Sequence, residues 1–120
     1  MTENLATVAI VDDDPAVLDS LKFLLEVVGY KVLTYASAQA FLTDGATTPA
    51  CMIVDQHMPG MTGLELVRQL RDAGGSIPVL LITGSSSPAI VARAAQLGVE
   101  KVLEKPPEEH DLLGFVSAWL

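Results

Sequence analysis

Five short apolar runs, each followed by a segment with helical spacing and a glycine or proline break, leave this 120-residue chain few folds. Val8 to Val11 is β-prone. Leu18, Leu21, Leu24, Leu25 and Val28 then recur at helical intervals until Gly29 stops them, with Asp14 and Pro15 as N-cap and first-turn proline. The same unit repeats with strand Lys31–Tyr35 and a short helix Ser37–Leu42 capped by Ser37, then with strand Cys51–Asp55 and helix Leu64–Ala73 ending at Gly74 and Gly75. Strand Val79–Thr83 precedes a helix opened by Ser87 and Pro88 and closed by Gly98; strand Lys101–Glu104 and helix Glu108–Leu120 finish the series.

Strands that alternate with helices pair in parallel, because parallel neighbours need crossovers and those crossovers are right-handed. The predicted fold is therefore α/β, a five-stranded parallel sheet flanked by five helices. Strands 1, 3 and 4 are nearly all apolar, as befits strands buried on both faces; strand 2, with Lys31 and Thr34, reads as an edge. In open sheets of this kind a site forms beyond the carboxyl ends of the strands.

The residues at those ends form a distinctive set: Asp12, Asp13 and Asp14 after strand 1, Asp55 closing strand 3, Thr83 with Gly84 closing strand 4, and Lys105 with Pro106 after strand 5. Several carboxylates at one edge repel one another by several kcal/mol at low effective dielectric unless a cation joins them. Hard oxygen donors suit Mg²⁺, and Lys105 supplies a compensating charge without it. Such a set supports phosphoryl transfer onto a carboxylate, with Asp55 as nucleophile, Thr83 as hydroxyl donor and Lys105 as charge stabiliser.

The stretches IVDDDP, VDQHMPGMTGLEL, ITG and LEKP, at this spacing and across essentially the whole chain, resemble the receiver domain of two-component response regulators, and FixJ-type receivers in particular. The resemblance implies a single receiver domain over 1–120, of flavodoxin-like, doubly wound topology with strand order 2-1-3-4-5. It further implies that Asp55 accepts a phosphoryl group from a sensor histidine kinase. Asp12, Asp13, Asp55 and the backbone carbonyl of His57 would hold Mg²⁺, Asp13 directly and Asp12 largely through water. Lys105 would pair with Asp55 or its phosphate, Thr83 would move toward the phosphoryl group, and the peptide before Pro106 would be cis. The signal would leave through helix 4, strand 5 and helix 5 to an output domain, a downstream protein or a phosphorylation-dependent homodimer.

Three places depart from the family pattern. Val102 stands where Tyr or Phe is usual, so the aromatic half of the switch is missing and signalling is expected to rest on the loop Gly84 to Pro88 and the fourth helix. His57 and Ser85 occupy the positions that tune the access of water to the acyl phosphate. Thr62 replaces a common Asp, with an expected effect on the loop alone, and Pro107 follows Pro106 where an aromatic is common and should stiffen the approach to the last helix.

Each residue also has a plainer reading. The acids after strand 1 could simply favour a helix N-terminus, which is accepted for Asp14; Asp12 and Asp13 are assigned to metal because Asp55 and Lys105 reach the same edge. The rings of His57 and His110 are read as solvated, and Cys51 as a small core residue. Met58 and Met61 flank Pro59 and Gly60 and would staple that loop, while Trp119 fits either the last helix's apolar face or a partner interface. Fifty per cent hydrophobic and 18% charged residues fit a compact domain. The absence of a long apolar run, and a start from Met1 to Thr7 that contains Glu3, predict a cytoplasmic protein without a secretory signal. A net charge of −8 with seven Lys and Arg disfavours direct contact with nucleic acid.

Two other classes are less well served. An aspartyl-phosphate phosphatase would want an acid two residues after the nucleophile, where His57 stands, and a pseudo-receiver that only binds proteins would have lost one of the acids, Thr83 or Lys105. The acidic first turn is no phosphate cradle, which disfavours nucleotides and flavins. No independent enzyme is expected, only self-catalysed phosphorylation and dephosphorylation of Asp55.

Overall fold

The computed structural model describes residues 7–44 and 48–120. The leader reading of Met1 to Thr7 rests mainly on residues outside that range. Five strands, β1 (Thr7–Val11), β2 (Lys31–Tyr35), β3 (Cys51–Asp55), β4 (Val79–Thr83) and β5 (Lys101–Glu104), alternate with five helices. The helices are α1 (Pro15–Val27), α2 (Ala38–Thr43), α3 (Gly63–Asp72), α4 (Pro88–Gln96) and α5 (Glu109–Trp119). All strand pairs are parallel, in the order β2-β1-β3-β4-β5.

Alternation along each central strand divides the core into two. Val8, Ile10, Ile53, Leu80 and Ile82 face one side, where Leu18, Leu21 and Leu25 of α1 and Leu112, Phe115 and Val116 of α5 cover them. Ala9, Val11, Met52, Val54, Val79 and Leu81 face the other, under Phe41 of α2, Leu64, Leu66 and Val67 of α3 and Ala94 of α4. Every residue of β1, β3 and β4 is buried, whereas β2 and β5 are the partly exposed edges.

Helix starts follow local chemistry. Asp14, Ser37 and Ser87 each accept a backbone N–H of the first turn, and Pro15 and Pro88 occupy the first turns of α1 and α4. Gly29 ends the α1 segment with φ +106°, a conformation that a Cβ would strain.

Val28, the last of the helically spaced apolar residues, caps α1 and is 52% exposed. One expectation needs correction. Thr62 does more than alter a loop: its hydroxyl accepts from Glu65 N while the Glu65 carboxylate accepts from Thr62 N, a reciprocal cap that starts α3. The peptide between Lys105 and Pro106 is cis, as expected. Met58 and Met61 pack against the second core, and Trp119 is 44% exposed. Among the described residues, no helix is long and apolar enough to cross a membrane.

Candidate functional site

The parallel register delivers Asp12, Asp55, Thr83 and Lys105 to one edge of the sheet. Val11 pairs with Val54, Asp55 with Ile82 and Thr83 with Glu104, so the residues at or just beyond these pairs share the carboxyl-terminal rim. Asp12 and Asp55 are buried and Asp13 is exposed; one carboxylate oxygen from each lies within 4.8 Å of the others. Burial raises the Asp12 pKa above its ordinary value, opposed by the bond from Asp14 N at 2.9 Å and reinforced by the neighbouring charge of Asp55.

Lys105 reaches this cluster with Nζ 2.8 Å from Asp55 Oδ1. The side-chain contact with Asp55 raises the Lys105 pKa, against a smaller opposing effect of partial burial; the charges of Asp55, Asp12 and Asp13 add to the rise. Asp55 Oδ1 completes no well-directed hydrogen bond among the described residues, so the contact is a close ion pair at an oxygen with bonding capacity to spare. A hard cation is therefore well matched to this trio of carboxylates, which one ammonium compensates incompletely.

Thr83 is fully buried at the end of β4, and its Oγ1 has three partners. It donates to Ser85 O at 3.0 Å, accepts from Ser85 N at 3.2 Å, and lies 3.2 Å from His57 Nε2. This corrects the reading of His57 as a merely solvated ring: its ring is exposed, yet one nitrogen is engaged. His110 is exposed beside Glu108 and Asp111.

The loop after β3 is built by residues that sequence reasoning passed over. Gln56 is buried; its side-chain oxygen accepts from Leu64 N at 2.8 Å and its carbonyl accepts from Gly63 N at 3.1 Å, which ties the start of α3 to the residue after Asp55. Only a glycine fits at 63, since a Cβ there would lie 2.6 Å from the Asp55 carbonyl oxygen. Ser86 donates through its amide and its hydroxyl to Glu104, at 3.1 and 2.8 Å, and thereby ties the β4–α4 loop to β5. No local sequence signal marks Gln56, Ser86 or Glu104, because the bonds their side chains make join residues 8 to 18 positions apart. Val102 is half-buried against the second core and borders a recess of about 330 Å³ between α4 and β5.

The profile of the response regulator receiver domain matches residues 8–117. The chain belongs to the receiver domain family of response regulators. This receiver is 38% identical over 121 aligned positions to the response regulator protein TmoT of Ectopseudomonas mendocina, a match that spans 100% of the chain and 55% of TmoT. It is 39% identical over 114 positions to the transcriptional regulatory protein FixJ of Azorhizobium caulinodans, covering 94% of the chain and 54% of FixJ. The crystal structure of FixJ-N superposes with a TM-score of 0.85 at 34% identity, covering 96% of the receiver and 93% of that chain. The receiver thus spans about half the length of TmoT and of FixJ.

Proposed function

We propose that residues 1–120 form one receiver unit, the phosphoacceptor of a cytoplasmic two-component system, in which Asp55 takes a phosphoryl group from a histidine of a sensor kinase. The observation that carries this reading is the buried Asp55 carboxylate, ion-paired to Lys105 at 2.8 Å and grouped with Asp12 and Asp13. An oxygen of Asp55 attacks phosphorus, the P–N bond to the donor imidazole breaks, and the imidazole leaves with a proton from solvent.

Asp12, Asp13, Asp55 and the His57 carbonyl would hold Mg²⁺, which supplies charge neutralisation on the phosphoryl oxygens when bound. Lys105, paired with Asp55, stabilises the same charge, and Thr83 donates a hydrogen bond once its hydroxyl turns toward the phosphate. The receiver therefore catalyses its own phosphorylation and dephosphorylation.

A groove of about 420 Å³ opens beside Asp12 and Lys105, lined by Val17, Leu21 and Leu24 of α1 and by Pro106 and Leu112. Its apolar walls beside the acceptor suit a docking kinase helix. The α4–β5–α5 face passes the signal to an output domain, a downstream protein or a second copy of the chain. The net charge of −8 assigns any DNA contact to a part other than this domain.

Incubation with Mg²⁺ and a small phosphodonor such as acetyl phosphate should add one phosphate mass, and Asp55→Asn should abolish the addition. An unmodified wild-type mass across a range of donors would overturn the reading.

A further inference from the structure

A threonine hydroxyl offers one proton and two lone pairs, and all three positions of Thr83 are committed. The proton goes to the Ser85 carbonyl, which can only accept, and one lone pair receives the Ser85 amide. With those two bonds in place, the third partner, His57 Nε2 at 3.2 Å, takes the role of donor, so Nε2 carries a proton. In this arrangement Thr83 keeps no bonding capacity for a group on Asp55.

We propose that His57 is a positioning residue: its Nε2–H latches Thr83 in the unphosphorylated orientation and so holds the β4–α4 loop in its resting form. This rests on the phosphoacceptor reading above. The latch links the loop after β3 to the last residue of β4, 26 positions further along the chain, and it acts at the residue that must turn for the phosphate to be engaged. A second tie, from Ser86 to Glu104, closes the same loop against β5, so the resting loop is held from both neighbouring strands. Val102, two residues before Glu104, carries no group able to bond the hydroxyl; in this chain the polar partner of Thr83 comes from β3's side of the sheet.

The latch opposes engagement of the phosphate by the strength of one hydrogen bond, which sets the size of the effect. Removing it should raise the population of the engaged loop about fivefold. The ring is exposed, so its removal leaves the core intact.

The test compares wild type, His57→Ala and His57→Gln, the last of which places an amide N–H near the position of Nε2. In the unphosphorylated proteins with EDTA, the exchange rate of the Ser85 amide should rise about fivefold in His57→Ala and return toward wild type in His57→Gln. With Mg²⁺ and acetyl phosphate, the phosphorylation rate read by intact mass should follow the same order. The backbone carbonyl of residue 57 survives both substitutions, so metal binding through it is retained. Ser85 exchange in His57→Ala within twofold of wild type, or a glutamine variant that behaves like alanine, would overturn the latch. A wild-type chain that takes no phosphate would overturn the phosphoacceptor reading instead, and the exchange measurement would still decide the latch.

Discussion

Lys105 Nζ lies 2.8 Å from Asp55 Oδ1, a buried oxygen met by a cation whose own side chain is 40% exposed. The pair is thus half in and half out of water, which moderates its contribution to stability while leaving the ammonium free to follow a group placed on Asp55.

Lys105→Met should expose this balance. It keeps the aliphatic stem and leaves three grouped carboxylates without their cation. We expect a loss of about 1 kcal/mol without metal, a fall of a few degrees in Tm, and a smaller difference once Mg²⁺ is added. Thermal melts in EDTA and in Mg²⁺ check this; an equal deficit in both buffers would show that the cation does not compensate the acids.

Asp12 gives the pH dependence. Its folded pKa is raised above 3.8, chiefly by burial, so between those values the folded state holds a proton that the unfolded chain has released. Its contribution to stability is present below 3.8 and is lost as pH rises through the raised value. Asp12→Asn should therefore be more stable than wild type in EDTA at neutral pH and should flatten the decline. Urea midpoints from pH 4 to 7 measure both, and identical slopes would count against the assignment.

Gly63→Ala would place a Cβ 2.6 Å from the Asp55 carbonyl and 3.0 Å from Leu81 Cδ1. The backbone beside the acceptor must shift, at a cost of about 1–3 kcal/mol. Urea denaturation should show that loss, and the phosphate yield by mass should fall with it. A variant equal to wild type in both would mean that the close approach is relieved cheaply.

Cys51 is fully buried in β3, and burial pushes its thiol pKa up to about 11. A maleimide at neutral pH should leave the folded chain unlabelled and label it once after denaturation. Rapid labelling of the native protein would contradict the packing of β3.

The strands and helices were legible in the sequence because each carries its own period and its own stops. The apolar run Cys51 to Val54, the caps Asp14, Ser37 and Ser87, and the break at Gly29 are local signals, and the observed elements begin and end within a residue or two of where they point. The edge character of β2 was legible from Lys31 and Thr34.

The sequence by itself determined the alternating α/β order and the residues that end each strand, since strand and helix periods and turn residues act over a few neighbours. The motif resemblance already implied that Lys105 pairs with Asp55, and the structure sets that pair at 2.8 Å. Only the tertiary structure decided that Gln56 holds the start of α3 and that His57 bonds Thr83. Those contacts depend on how parallel strands register and how their loops fold back over the rim. A one-residue change of register would turn each side chain to the opposite face of the sheet, so no pattern within a single segment could specify them.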